Sequence, residues 1–238
     1  MKWQLAQLIG IQRETARIKS FLFQLPQPIS FLPGQHMDIR LRAADGYEAQ
    51  RSYSIASASE RTQQITLTID LLPQGEVSGF MHEEARIGDF FELKGPIGGY
   101  FVWKAHHQRP LYLIGGGSGL VPLMAILRTR DMLEAKVPAH LLLSMRSEEH
   151  FLYKQELDQM EKEDTDFQLR VTYSRKAPLS WEGNKGRISE GLLAHGLAEL
   201  PATPLCYVCG PTAMVEYVAT TLVDLGVGRA LVRTERFG

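Results

Sequence analysis

Arg51-Ser52-Tyr53-Ser54 sets a guanidinium, a phenol ring and two hydroxyls within four residues. The run is β-rich, so Arg51 and Tyr53 fall on one face of a strand. A guanidinium pairs bidentately with phosphate oxygens and a flat ring stacks, which suits the two side chains to a phosphate and an isoalloxazine face. Taken alone, the pattern fits an exposed cation–π pair equally well. Gly75-Glu76-Val77-Ser78 opens a short helical pattern that runs to His82. Its backbone N–H groups and hydroxyl suit a pyrophosphate, and an ordinary turn and N-cap as well. Gly115-Gly116-Gly117-Ser118-Gly119 joins an apolar run to a helical one, the place where an open α/β sheet rests phosphate on helix N–H groups. It departs from Gly-x-Gly-x-x-Gly, because Leu120-Val121-Pro122 follows without a third spaced glycine. Ser174-Arg175-Lys176 follows a further β-rich run, where arginine favours a 2′-phosphate, and Arg146, Lys185 and Arg187 add positive charge. A solvated basic loop is the alternative there.

Cys206 and Cys209 form a Cys-x-x-Cys, which reads either as a thiol–disulfide pair or as a buried strand with Cys206 as a small apolar residue. The strand reading is favoured by Leu205, Tyr207 and Val208 around it. Two cysteines cannot supply the four thiolates of an ordinary iron–sulfur cluster, so such a cluster would belong to a partner. His106 and His107 lie in a linker without further ligands nearby, and no metal site is expected.

The elements that must hold these groups change character near residues 104 to 110. Before that point six short strands are predicted: Trp3 to Ile11, Arg17 to Leu25, His36 to Leu41, Ser52 to Ala56, Ile65 to Leu71 and Phe90 to Lys94. Pro33-Gly34, Asp45-Gly46 and Gly88-Asp89 supply turns between them, the pattern of a small six-stranded antiparallel β-barrel. Beyond it, apolar strands alternate with helical spacings. Leu111 to Ile114 precedes Leu120, Leu123, Met124 and Leu127, which share one helix face. Ala139 to Met145, Gln168 to Tyr173 and Leu205 to Cys209 each precede a helix, and Ala230 to Arg233 is a last strand. A five-stranded parallel α/β domain of nucleotide-binding type follows. The expected domains are 1–104 and 105–238.

Composition narrows the partners. The chain has 238 residues, 26 basic against 27 acidic, and a formal net charge of -1, without the basic excess that nucleic acid demands. No apolar run approaches the roughly 20 residues of a bilayer span, and the amino terminus lacks the apolar segment of a signal peptide. No nucleic acid, no membrane insertion and a cytoplasmic location are the expectations.

In this order, Arg-x-Tyr-Ser at residues 51 to 54, the glycine run at 115 to 119 and Cys-Gly-Pro-x-x-Met at 209 to 214 resemble the ferredoxin–NADP⁺ reductase superfamily, over essentially the whole chain. The resemblance implies that Tyr53 stacks on a flavin, Ser54 hydrogen-bonds its N5, and Arg51 contacts its phosphate. Gly75, Val77 and Ser78 would hold the FAD pyrophosphate, and Gly116, Gly117, Ser118 and Gly119 the phosphates of the electron donor. Cys209, with Gly210 and Pro211, would lie by the reactive nicotinamide carbon. Ser174 and Arg175, supported by Arg146 and Arg187, would take the 2′-phosphate of NADPH. Glu235 would orient the nicotinamide or relay a proton, and Phe237 would shield the flavin face opposite Tyr53. Plant-type members end on tyrosine, whereas here Phe237 is penultimate and Gly238 follows. The implied cofactors are FAD, with FMN as the alternative, and NADPH, with NADH as the alternative. The implied function is transfer of electrons from NADPH through FAD to a ferredoxin or similar small iron–sulfur or flavin protein. An NAD(P)H:flavin or ferric reductase, and a non-autonomous electron-transfer subunit of a multicomponent oxygenase, are the alternatives.

Overall fold

The computed structural model describes residues 2–237, and Gly238 lies outside the described residues. The chain gathers into two compact units, Met1–Lys104 with Met124–Met132, and Ala105–Leu123 with Leu133–Gly238.

In the first unit, β1 (Gln4–Arg13), β2 (Ile18–Ile29), β3 (His36–Arg42), β4 (Glu48–Ser54), β5 (Thr62–Asp70) and β6 (Phe90–Ile97) form one antiparallel sheet in the order β4-β3-β6-β1-β2-β5. A bridge between Ile55 and Leu67 joins the two outer strands at one point, so the sheet curls into a barrel. Period-two patterning decides what goes inside. Phe21, Phe23 and Leu25 of β2 face Met37 and Ile39, Ile65, Leu67 and Ile69, and Phe91 and Leu93 in a single core. Fully burying one such Phe or Leu contributes roughly 1.5–3 kcal/mol. Helix α1 (Glu76–Glu83) packs Val77 and Met81 onto this core. The segment after β4 is tied down by the Arg128 Nη1 donation to the Ala56 carbonyl, 2.6 Å, and by the Ser59 N–H donation to Thr129 Oγ1, 2.8 Å.

In the second unit, β7 (Leu111–Gly116), β8 (Ala139–Ser147), β9 (Phe167–Lys176), β10 (Asn184–Lys185), β11 (Leu205–Pro211) and β12 (Val232–Phe237) form a parallel sheet in the order β10-β9-β8-β7-β11-β12. Helices α2 (Leu120–Met132), α3 (Lys154–Glu163), α4 (Glu190–Ala198) and α5 (Thr212–Asp224) connect the strands. All six residues of β7 are buried, as a strand covered on both faces requires. Tyr112, Ile114, Cys206 and Val208 meet Val215, Val218 and Leu222 of α5 in a core.

The sheet has six strands where five were expected. The added one, β10, has two polar residues, too few to display a period. It is held because the Gly186 N–H donates to the Tyr173 carbonyl and Thr172 Oγ1 donates to the Gly186 carbonyl. The last strand also shifts. Ala230 lies in a single 3₁₀ turn, and the ladder with β11 runs from Cys206 opposite Val232 to Pro211 opposite Phe237. Backbone pairing with a buried neighbour overrides the charged look of Arg233-Thr234-Glu235-Arg236.

Candidate functional site

The candidate groups Arg51, Tyr53 and Ser54 of the first unit lie on β4. Ala49 is buried, Arg51 is exposed and Tyr53 is half-buried against the core. The alternate residues Gln50 and Ser52 point the other way and grip one carboxylate. Asp38, only 7% exposed, accepts from Gln50 Nε2 at 2.8 Å and from Ser52 Oγ at 2.6 Å, so both of its oxygens are satisfied. This clamp holds the strand carrying Arg51 and Tyr53 from its far face. Burial pushes the Tyr53 hydroxyl up to about 12, with Arg51 opposing, so it remains a neutral phenol. Arg51 Nη1 donates to the carbonyl of Gln50 at 2.6 Å and leaves the guanidinium at the surface. Ser54 is half-buried and sits directly opposite His36 on β3. Burial lowers the His36 imidazole, with Asp38 opposing, and favours its neutral form.

At α1 the N-cap, Gly75, is extended and gives no side-chain cap. A Cβ there would overlap Ser78 Oγ, which is why glycine stands at this position. Ser78 is buried, and its hydroxyl donates to the Gly75 carbonyl and accepts from the Leu72 N–H, both at 3.2 Å. Val77 is buried in the core. The groups left for an anion are therefore the first-turn N–H groups of Glu76, Val77 and Ser78, which precede the first helical bond, Gly79 N–H to the Gly75 carbonyl.

The second unit gathers its candidates at the carboxyl ends of parallel strands. The glycine run leaves β7 through a 3₁₀ turn, Gly117–Gly119, and enters α2. Gly117 is exposed with φ +58 and nothing within 4 Å of where a Cβ would be, an open cradle above the α2 N-terminus. Gly119 is the reverse case, since a Cβ would overlap the Cys209 carbonyl oxygen and lie 2.8 Å from the Gly210 nitrogen. Buried Gly116 and half-buried Ser118 flank the cradle.

Cys209 lies in register with Gly115 on one side and Glu235 on the other. It is 2% exposed, and burial, reinforced by the charge of Glu235, drives its thiol well above the ordinary range. Burial raises Glu235 to about 7, and its Oε2 is buried with no hydrogen-bond partner among the described residues. Cys206 is buried in the core with its thiol pushed up to about 12, and both thiols are free. Buried Gly210 and exposed Pro211 lead into α5, and exposed Phe237 pairs with Pro211 at the strand end.

Arg146, Arg175 and Arg187 are exposed at the carboxyl edge of β8, β9 and β10. Ser174 and Arg175 lie inside β9, which continues to Lys176, and Ser174 Oγ donates to the Met145 carbonyl at 3.2 Å. Sequence reasoning missed Asp38, His36 and Tyr47. Each acquires a role only through cross-strand register or a contact distant in sequence, and no local pattern marks any of them.

Two family models divide the chain: an oxidoreductase FAD-binding domain over residues 5–102 and an oxidoreductase NAD-binding domain over residues 113–220. The chain is 30% identical to NADH-cytochrome b5 reductase 1 of Lodderomyces elongisporus, over 96% of this chain and 77% of that protein. It is 27% identical to the glycine betaine monooxygenase reductase subunit of Chromohalobacter salexigens, over 97% of this chain and 63% of that one. It thus spans less than two thirds of the length of several oxygenase reductase components that it matches. Among solved structures, the FAD/NAD-binding domain of a nitric oxide dioxygenase from Vibrio cholerae superposes with TM-score 0.86 at 25% identity, each chain covered completely. A ferredoxin NADP⁺ reductase from Neisseria gonorrhoeae with bound FAD and NADP shares the fold, with TM-score 0.83 at 20% identity and 99% of each chain covered.

Proposed function

The chain belongs to the ferredoxin–NADP⁺ reductase superfamily, and from that premise we propose that it carries electrons from NADPH through FAD to a small iron–sulfur or flavin protein. Residues 1–104 form the flavin domain and 105–238 the dinucleotide domain in this reading. The observation that carries it is the buried, unpartnered Glu235 Oε2 beside the Cys209 thiol at the carboxyl edge of the parallel sheet. A buried polar atom without a partner calls for a donor, and the carboxamide N–H of a nicotinamide supplies one. The open cradle at Gly117 fits the phosphates of the same ligand, and the α1 first turn with Arg51 fits those of FAD.

FAD held by these residues would supply the two-electron acceptance and onward release that protein side chains cannot. The residues of this chain bind and orient. Tyr53, a neutral phenol against the core, offers a rigid ring face; Ser54 holds the flavin edge; Cys209, a neutral thiol, packs against the nicotinamide without competing as a nucleophile. Glu235 fixes the carboxamide, and Phe237 lies two residues further on, at the end of the same strand. Ser174, Arg146, Arg175 and Arg187 receive the 2′-phosphate, for which exposed guanidiniums at a strand edge are suited.

Ser54→Ala is expected to slow flavin reduction several-fold to about tenfold in stopped-flow traces, the worth of one neutral hydrogen bond; unchanged traces reject the role. Arg175→Ala is expected to raise the NADPH KM about tenfold or more while moving that for NADH less than about twofold. Equal shifts for the two coenzymes would remove the 2′-phosphate assignment. The whole reading is tested by anaerobic titration of the purified chain with NADPH and then NADH. Bleaching of a flavin retained through purification supports it; a colourless chain that reduces only added flavin makes flavin a substrate instead.

A second reading is favoured by the relatives named as reductase components of oxygenases. There the chain would serve as the electron-transfer subunit of a larger complex, turning over poorly alone with an artificial acceptor. Both readings place it in the cytoplasm, supported by two free thiols. No helix among the described residues is long and apolar enough to cross a membrane.

A further inference from the structure

The β3–β4 hairpin holds an aromatic ring in the open beside α1. The Ala43 N–H donates to the Tyr47 carbonyl at 2.9 Å, the Gly46 N–H donates to the Ala43 carbonyl at 3.0 Å, and Asp45 Oδ1 accepts from the Tyr47 N–H at 3.0 Å. Gly46 has φ +91, a conformation that favours glycine, so the turn is specified by its sequence. The Tyr47 hydroxyl then donates to Glu76 Oε1 at 2.8 Å, in the first turn of α1. This bond raises the Tyr47 hydroxyl above its ordinary range, with Arg51 near enough to oppose the rise. One end of the ring is thus anchored while the residue stays 57% exposed.

Glu76 by itself is an odd neighbour for a phosphate. A carboxylate in the first turn competes for the same N–H groups and repels an incoming anion. Bonded to Tyr47, it is held by a donor on the hairpin, yet its charge remains close. FMN ends in a phosphate monoester with nearly two charges on one phosphorus at neutral pH, whereas the FAD diphosphate carries about one on each. The carboxylate therefore penalises FMN more. Only FAD carries an adenine, and a flat base gains from stacking on an anchored ring.

Resting on the flavin reading of the first unit, we infer that Tyr47 is a platform for the adenine of FAD and that the Tyr47–Glu76 pair makes this chain select FAD over FMN. The test is titration of the flavin-stripped full chain with FAD and, separately, with FMN, following flavin fluorescence. The intact chain is expected to bind FAD more tightly. Tyr47→Ala should weaken FAD about tenfold, the loss of one base–aromatic stack, and weaken FMN clearly less. Glu76→Gln should tighten FMN several-fold and FAD less. If Tyr47→Ala shifts both flavins equally, or neither, Tyr47 only locks the hairpin and the inference falls. If Glu76→Gln leaves the ratio of the two affinities unchanged, the charge argument falls. A stripped, folded chain that binds neither flavin removes the flavin reading itself, an outcome distinct from lost selectivity.

Discussion

Gly119→Ala is expected to destabilise the chain by about 3 kcal/mol and to slow flavin reduction by roughly a hundredfold. The added methyl would overlap the carbonyl oxygen of Cys209 and crowd the Gly210 nitrogen. Both are backbone atoms, so no side chain can swing aside; β11 or the start of α2 has to move. Either displacement carries Cys209 away from its place beside Glu235. Urea unfolding measures the first effect and stopped-flow reduction by NADPH the second. Gly117→Ala is the control, because its Cβ would meet nothing within 4 Å and only the left-handed backbone resists. It should cost about 1 kcal/mol. A Gly119→Ala protein as stable and as fast as its parent would show that the close approach to β11 is not required.

Glu235→Gln should flatten a pH dependence. The folded value near 7 lies above the ordinary 4.5, so the folded chain keeps a proton that the unfolded chain gives up. Stability is then lost as pH rises from about 4.5 to about 7 and stays low above that, by up to about 3 kcal/mol. Glutamine removes this burden. The variant should match the parent near pH 4, exceed it at pH 8, and show a flatter dependence between. Denaturant melts at both pH values decide the matter, and identical slopes would mean that Glu235 is not held neutral by burial. In the same variant the Cys209 thiol should fall toward its ordinary range, since the charge of Glu235 contributes to its rise.

The barrel and the parallel sheet were legible because both rest on local patterning. Period-two runs such as Phe21, Phe23 and Leu25 and the unbroken apolar run of β7 need no distant information. What stayed hidden depends on partners far along the chain. A last strand was expected to stop at Arg233, because residues 234–237 look like a charged tail, and only the ladder with β11 extends the strand to carry Glu235 to Cys209. Ser78 has the right residue type for a phosphate ligand, yet its hydroxyl is used by Gly75 and Leu72, a choice set by the loop geometry. His36 stands opposite Ser54 and Tyr47 reaches Glu76 through hairpin register. Such pairings are invisible until the strands are aligned.

The grip of Gln50 and Ser52 on Asp38 bears on how the Arg-x-Tyr-Ser pattern varies between relatives. The unspecified second position is free only where nothing needs it. In this chain a buried carboxylate depends on it, and Ser52→Ala would leave one oxygen of that carboxylate without its donor. Positions 38 and 52 are therefore expected to change together through descent: sequences lacking an acid at 38 can drift at 52, and those keeping it must keep a small hydrogen-bond donor there.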